Sequence, residues 1–469
     1  MSAPSYHWTP DEFREHGHAV VEWVARYLES VADRPVRSGV EPGWVRDQLP
    51  ASPPEAPEPF ADLLVDLDRV VLPAVTHWQH PGWFAYFPTG ASGPSVLADL
   101  VSSGLGVQGM LWATSPACTE LETHVLDWMA ELLGLPDRFR SEGEGGGVIQ
   151  DSASSATLCA LLAARWRAAG DGPFDRLQAY TSTEAHSSVE KAVRIAGLHP
   201  TQLRSLEVGP DFAVDPAVLE AAMAADRAAG LVPFFVVANV GTTSSTAIDP
   251  VAGFAAACAA QEAWLHVDAA HAGSALVCPE LRWIVEGLGG ADSFCMNPHK
   301  WLFTNFDCDC FWVADRRALL GALNVLPEYL RNEASESGAV IDYRDWQVPL
   351  GRRFRSLKLW FVLRSYGAEG LRHHVREHVE LAQGFAARVA ADPRFEVMAP
   401  HPLNLVCLAH VDGDEATEAL LAAVNATGRV LLTHTRLADR YVIRASIGAQ
   451  PTRAEHVEGL WALLDELAP

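Results

Sequence analysis

Residues 264–271 read WLHVDAAH, and residues 294–301 read FCMNPHKW. Each segment begins with a short apolar run and ends in polar or charged side chains. Similar apolar runs occur at 147–150 and 234–238, and longer helical patterns separate them. Strands that are apolar on both faces and alternate with helices indicate a sheet covered on both sides. The sequence therefore predicts an α/β fold with a mainly parallel sheet.

Polar residues follow these predicted strands at the sheet edge where open parallel sheets bind ligands. Asp268 ends one strand, Lys300 follows another, and Ser152-Ala153-Ser154 opens an alanine-rich helix. A lysine in apolar surroundings suits Schiff-base chemistry, and a carboxylate can keep a pyridine nitrogen protonated. The helix start can seat a phosphate, although helix capping alone also explains its serines. Together these groups supply the three contacts that pyridoxal phosphate needs.

Several separated segments carry a resemblance to a known family. The runs HPGWFAYFPT, SPACTELET, GGGVIQDSAS, AHSSVEKA and QVPLGRRFRSLKLWF are similar to the group II pyridoxal-phosphate-dependent decarboxylases, and within them to the aromatic-L-amino-acid decarboxylases. NPHKW resembles their cofactor-lysine motif, and HVDAA resembles their pyridinium-binding strand. The similarity runs from about Trp78 to the C-terminal helices. It implies the pyridoxal-phosphate transferase type I (aspartate aminotransferase-like) fold, with a small C-terminal α+β domain.

The resemblance also implies roles for individual residues. Lys300 carries the cofactor, His186 stacks on the pyridine face, Ala270 packs against the ring, and Tyr329 donates a proton from a closing loop. The implied catalytic residues are Lys300, Tyr329, His186 and Asp268. The implied cofactor-binding residues are Ala153, Ser154, His186, Thr243, Asp268, Ala270, Asn297, His299 and Lys300. The implied substrate-binding residues are Trp78, Tyr86, Phe87, Pro88, Thr89, Met110, His186 and Gly351.

The expected reaction is decarboxylation of an aromatic L-amino acid to its amine and CO2. Tryptophan, phenylalanine, tyrosine, dihydroxyphenylalanine and 5-hydroxytryptophan all remain candidate substrates. The preference stays open because the chain departs from the family at four positions: His271 replaces Tyr, Asp151 replaces Gly, and Gln108 and Met110 replace pocket residues that are apolar or aromatic.

Aldehyde synthesis on the same fold is the alternative reaction. Relatives that make aldehydes usually have Phe at the position of Tyr329 or Asn at the position of His186. This chain keeps both residues, so we expect an amine as the product.

The chain divides into three predicted units. Residues 1–90 form a helical arm that is too small to bury its own apolar stripes, which predicts a homodimer. Residues 91–352 form the large cofactor domain with a mobile loop at 323–349, and residues 353–469 form the small domain. The resemblance adds that the arm wraps the partner and that Gly351 approaches the neighbouring site.

Composition excludes several other classes of protein. The formal net charge of −24 disfavours nucleic acid and anionic membranes as partners. We expect a cytoplasmic protein, because the N-terminus lacks a signal pattern and no apolar run reaches about 20 residues. His266, Asp268 and His271 could serve a metal-dependent hydrolase, but no second ligand cluster accompanies them. We therefore expect no metal.

Overall fold

The computed structural model describes residues 6–325 and 340–468. An N-terminal arm precedes the main sheet and contains three helices: α1 (Pro10–Ser30), α2 (Trp44–Gln48) and α3 (Phe60–Asp66). Thr9 caps α1 through a capping box, because its Oγ1 accepts from the Glu12 amide and Glu12 Oε2 accepts from the Thr9 amide. No residue of α1 is buried, which agrees with an arm that lacks a core of its own.

Two helices lead into a seven-stranded sheet. They are α4 (Gly93–Leu105) and α5 (Pro116–Leu133). The strands are β1 (Gly146–Gln150), β2 (Leu177–Ser182), β3 (Leu203–Leu206), β4 (Val232–Asn239), β5 (Trp264–Asp268), β6 (Ser293–Met296) and β7 (Asp309–Val313). Their order is β1-β7-β6-β5-β4-β2-β3, and β7 is the strand antiparallel to its neighbours. The mainly parallel sheet is therefore present as expected.

Helices cover both faces of this sheet. They are α6 (Ala153–Ala169), α7 (Ser188–Ile195), α8 (Pro216–Ala228), α9 (Val251–Gln261), α10 (Pro298–Trp301) and α11 (Arg316–Leu323). Separate apolar clusters lie on the two faces. One contains Met129, Leu265 and Trp312, and the other contains Val148, Phe235 and Phe311. Adjacent residues such as Phe311 and Trp312 belong to opposite clusters, because side chains alternate between the faces of a strand.

The C-terminal part begins with the long helix α12 (Arg355–Ala391), which has non-helical backbone at Gly367 (φ +61°). Leu359 of α12 packs with the large sheet, whereas Phe385 packs in a separate cluster over a small antiparallel sheet. The elements that follow α12 are β8 (Phe395–Val397), β9 (Leu405–His410), α13 (Asp414–Ala426), β10 (Thr433–Leu437), β11 (Arg440–Ser446) and α14 (Ala454–Leu467). The four strands form the small sheet in the order β10-β11-β9-β8.

Part of the predicted loop 323–349 lies outside the described residues, namely 326–339. The segment that follows is packed: Tyr343–Trp346 form a short 3₁₀-helix, and both terminal rings are buried against the sheet. Within residues 6–325 and 340–468, no helix is long and apolar enough to cross a membrane.

Candidate active site

A pocket lies where the strand ends meet the start of α6. All nine predicted cofactor residues line it, together with the predicted substrate residue Phe87. Its walls are Phe87, Ser152, Ala153, Ser154, His186, Asn239, Gly241, Thr242, Thr243, Asp268, Ala270, His271, Asn297, His299 and Lys300. The carboxyl ends of adjacent strands meet at one sheet edge, so residues far apart in sequence converge here.

Lys300 and Asp268 form the charged centre of the pocket. Burial lowers the pKa of Lys300, and the nearby Asp268 carboxylate partly opposes that shift. Lys300 Nζ lies 5.3 Å from the centroid of the Phe87 ring. Asp268 ends β5, and its Oδ1 accepts a hydrogen bond from the Ala270 amide at 3.0 Å. The pocket thus offers a lysine with a depressed pKa beside a fixed carboxylate.

The start of α6 forms the wall that suits an anion. Ser152 is the N-cap, and its Oγ accepts from the Ser155 amide. The capping interpretation is therefore correct for Ser152. The first-turn amides of a helix have no partner within the helix, and they carry the positive end of its dipole. Because Ser152, Ala153 and Ser154 also line the pocket, capping and anion binding are compatible.

His299 is held as a neutral hydrogen-bond donor. Its Nδ1 accepts from the Cys308 amide at 2.9 Å, so the ring proton resides on Nε2. Burial lowers the pKa of His299 to about 4, and the charge of Lys300 adds to this shift.

His186 is fixed in the same tautomer by a local contact. Its Nδ1 accepts from the Ser188 amide at 3.2 Å, which again leaves the proton on Nε2. Burial lowers its pKa, and Asp268 partly opposes the shift. Both histidines therefore present an N–H group.

His271 is a pocket residue that the sequence did not predict as part of the site. Its ring stacks on Phe87 at 3.8 Å and on Trp301 at 5.1 Å. Asn404 fixes its tautomer, because Asn404 Nδ2 donates to Ile447 O and its Oδ1 can then only accept from His271 Nε2 at 2.8 Å. Burial lowers the pKa of His271 to about 3. Its departure from the family, three residues after Asp268, was the one sequence signal available.

Arg444 is a second contributor that the sequence did not indicate. It comes from β11 of the small domain, and its guanidinium donates to Thr243 O at 2.7 Å and Ser244 O at 3.0 Å. These bonds hold the loop after β4 against the pocket. About two hundred residues separate the partners along the chain, so no local pattern could reveal them. The other lining residues that the sequence did not assign to the site are Asn239, Gly241 and Thr242, whereas Ser152 belongs to the helix start expected to seat a phosphate.

The alternative metal ligands do not converge. His266 Nδ1 bonds Ser293 Oγ at 2.9 Å, whereas His271 is bonded to Asn404. Among the described residues, the one histidine and carboxylate group with metal-like spacing lies elsewhere, on α12. In the part of the chain that the structure describes, the ligand set of the alternative hydrolase hypothesis does not come together.

The predicted substrate residues are mostly outside the pocket. Trp78 and Tyr86 stack on each other at 5.7 Å, and they are 38% and 56% exposed. The carbonyl of Thr89 accepts from Gln79, while Pro88 faces Gly448. Neither residue lines the pocket walls.

Met110 and Gly351 do not line the pocket that contains Lys300. Gln108 Oε1 accepts from the Arg352 amide, next to Gly351, and Met110 O accepts from the Arg344 amide. The structure thus groups these two residues with each other and not with Lys300. Tyr329 lies outside the described residues.

The chain is similar to known proteins over most of its length. Residues 42–411 match the family model described as the pyridoxal-dependent decarboxylase conserved domain. The chain belongs to the pyridoxal-dependent decarboxylase family. It is 47% identical to phenylacetaldehyde synthase of Arabidopsis thaliana, over 98% of this chain and 96% of that protein. It is 45% identical to aromatic-L-amino-acid decarboxylase of Mus musculus, over 97% of each chain.

A solved relative shares the whole fold of this decarboxylase. The Oryza sativa TDC, solved with PLP and tryptamine, is 42% identical, covers 99% of each chain and superposes with a TM-score of 0.97. The transferase type I fold is therefore confirmed, and pyridoxal phosphate is the cofactor. The pocket fits this group chemically, because it offers helix amides for a phosphate, Asp268 for a pyridinium and Lys300 for an aldehyde.

Proposed function

We propose that this protein decarboxylates aromatic L-amino acids to the corresponding amines and CO2. The observation that carries the proposal is the convergence of Lys300, Asp268, His186 and His299 in one pocket at the sheet edge. Bound there, pyridoxal phosphate supplies the electron sink that stabilises the carbanion left by the departing carboxylate.

The chemistry of each of these residues suggests a role with bound pyridoxal phosphate. Lys300 would bind the cofactor aldehyde, since its depressed pKa makes the neutral, nucleophilic amine accessible. Asp268 would keep the ring nitrogen protonated. His299 Nε2–H and the first-turn amides of α6 could donate to the phosphate. His186 would pack on the ring face, where its neutral imidazole adds no positive charge.

The pocket chemistry favours aromatic over acidic substrates. A distal carboxylate needs a cation to pair with it, and Lys300 is the one Lys or Arg among the described residues of the pocket walls. Arg444 lies close to Phe87, but its guanidinium already donates to two backbone carbonyls. Phe87 lines the pocket instead, and Tyr86 and Trp78 add exposed aromatic surface outside it.

Steady-state kinetics with purified protein and added cofactor test this proposal. The panel comprises tryptophan, phenylalanine, tyrosine, dihydroxyphenylalanine, 5-hydroxytryptophan and glutamate. We expect kcat/KM for at least one aromatic amino acid to exceed the value for glutamate by at least about a hundredfold, because glutamate would leave an unpaired charge in the pocket. Faster turnover of glutamate than of every aromatic substrate would refute the aromatic assignment.

Aldehyde synthesis is the second candidate, because one of the similar proteins is a phenylacetaldehyde synthase. We propose Tyr329 as the proton donor that directs this chain to the amine, which rests on the family resemblance at that position. The Tyr329→Phe variant should still release CO2 but, with O2 as oxidant, should shift the product under air from amine to aldehyde, ammonia and hydrogen peroxide. An unchanged amine yield without peroxide would exclude Tyr329 as the donor.

We also propose that the active form is a homodimer. Helix α4 leaves a row of apolar side chains exposed, and α1 buries none of its residues. The exposed side chains of α4 are Val96, Leu97, Leu100, Val101 and Leu105. A monomer seldom exposes so many neighbouring apolar groups, and a second copy would cover them.

A further inference from the structure

Asp309 is a buried carboxyl group that the proposed mechanism does not use. It begins β7 and has no exposed surface. Neither carboxylate oxygen has a hydrogen-bond partner among the described residues. An ionised carboxylate in such a position carries a large desolvation cost, so its state requires an explanation.

Asn297 is a second buried group without a partner. It lines the pocket, and its Oδ1 accepts no hydrogen bond within the described part of the chain. Asn297 continues β6 in extended backbone, directly after Met296. Met296 pairs with Cys310 in antiparallel register, so the next position places Asn297 opposite Asp309.

This register makes the two groups neighbours. Directly opposed residues of an antiparallel pair point to the same face, with their Cβ atoms about 4.5–5.5 Å apart. A carboxylate and an amide oxygen are both acceptors and cannot bond to each other. A carboxylic acid has an O–H group that can donate to the amide oxygen, and one proton would satisfy both side chains.

We propose that Asp309 is a protonated positioning residue whose O–H donates to Asn297 Oδ1. Because the two ends of an amide point in opposite directions, this bond directs Asn297 Nδ2 into the pocket as a donor. Asn297 then offers an N–H donor to the pocket, as His299 and His186 do. The tautomers of both histidines are also fixed by protein contacts that leave an N–H free. The benefit to the cofactor phosphate rests on the proposed function, whereas the bond itself does not.

The surroundings of Asp309 favour the neutral acid. Burial raises its pKa well above the ordinary value, the negative charges of Asp268 and Asp151 add to the shift, and Lys300 opposes it. On the other flank Gln150 pairs with Asp309. Gln150 Nε2 donates to Trp346 O and Gln150 Oε1 accepts from Cys159 Sγ, and no donor among the described residues lies within hydrogen-bond distance of the Asp309 carboxyl group.

Infrared difference spectroscopy of the holoenzyme tests the protonation state. A protonated carboxyl has a C=O stretching band that a carboxylate lacks. We expect this band in the wild type minus Asp309→Asn spectrum, and we expect Asn297→Ala to move it to higher frequency because the acceptor is lost. The control is Asp226→Asn, since Asp226 is a buried carboxylate paired with Arg204. No band assigned to Asp309, or a band that Asn297→Ala leaves in place, would overturn the bond.

Cofactor affinity tests the positioning role. Asp309→Leu leaves Asn297 Oδ1 unpaired and its amide free to turn, so the affinity for pyridoxal phosphate should fall about tenfold. Asp309→Asn should restore it, because its amide N–H donates in the same direction. Equal affinity in Asp309→Leu and wild type would overturn the positioning role. Failure of the wild-type protein to bind pyridoxal phosphate would instead refute the proposed function.

Discussion

The cofactor side and the substrate side of the candidate site are built differently. On the cofactor side, one chain brings all nine predicted residues into a single pocket. On the substrate side, Phe87 and His186 line that pocket, while Trp78 and Tyr86 are exposed and Met110 and Gly351 lie elsewhere. The difference teaches that the sheet edge of one chain brings together every predicted cofactor residue, whereas most predicted substrate residues do not line that pocket. On the proposed homodimer, the surfaces that one chain leaves exposed would contribute to substrate recognition.

Removal of the cofactor lysine should give the largest effect. Lys300→Ala deletes the group that binds the cofactor aldehyde, so activity should fall by at least about 10³-fold and the visible absorbance should disappear. Lys191→Ala, at an exposed position of α7, is the control and should behave as wild type. Borohydride reduction followed by peptide mapping should label Lys300. Label on another lysine would show that the cofactor is bound at a different lysine, outside this pocket.

Complementation between two impaired variants tests whether residues of both subunits form the substrate side of each site. Met110→Arg places a charge at the predicted substrate wall and should lower activity at least about tenfold. If Met110 serves the partner's site, co-expression with Lys300→Ala creates mixed dimers that hold one intact site. Random pairing should then restore about a quarter of the wild-type activity. Without any recovery, Met110 would have to act within its own chain or not at all.

The exposed aromatic pair should affect substrate binding alone. Tyr86→Ala removes the ring that stacks on Trp78, so KM for aromatic substrates should rise about tenfold. The affinity for pyridoxal phosphate should stay at its wild-type value, as measured by absorbance titration. A parallel loss of pyridoxal-phosphate affinity would show that Tyr86 supports cofactor binding as well as substrate binding.

The buried histidines predict a smaller effect, on stability. Burial lowers the pKa of His271 to about 3 and that of His299 to about 4, below the ordinary value of 6.5. The unfolded chain therefore binds protons that the folded chain does not, and the free energy of unfolding falls as pH drops from about 6.5 towards 4. By pH 5.5 each such histidine should cost about 1 kcal/mol.

Urea titrations at pH 7.5 and 5.5 measure this loss. The side-chain amide of the His271→Gln variant can still donate to Asn404. This variant should lose less unfolding free energy than wild type between pH 7.5 and 5.5, by the contribution of one histidine. An equal loss in this variant and in wild type would mean that His271 is not buried in its neutral form.

Local patterns were sufficient for most of the fold and of the cofactor side. Each strand run was followed directly by the polar residues that line the pocket, so Asp268 and Lys300 could be placed from short segments. The cap of α1 was also predictable, because Thr9 and Glu12 are three residues apart. Such features need no knowledge of distant contacts.

Long-range contacts explain what the sequence could not predict. His271 becomes part of the pocket through Asn404, and the loop after β4 is held by Arg444, both from the small domain. The non-helical backbone of α12 at Gly367 could not be predicted from the sequence, because a single glycine is also tolerated within a helix. The exposure of Trp78 and Tyr86 was equally hidden, since aromatic clusters resemble core segments in a sequence.

The fate of the substrate carboxylate tests the central claim most directly. Holoenzyme is incubated in D2O with a carboxyl-labelled aromatic L-amino acid, and labelled CO2, amine, aldehyde and peroxide are measured together. The account predicts equal amounts of CO2 and amine, with one solvent-derived deuterium at the α-carbon of the amine. Absence of labelled CO2 with every aromatic substrate would contradict decarboxylation, and CO2 accompanied by aldehyde and peroxide would contradict the proposed amine product.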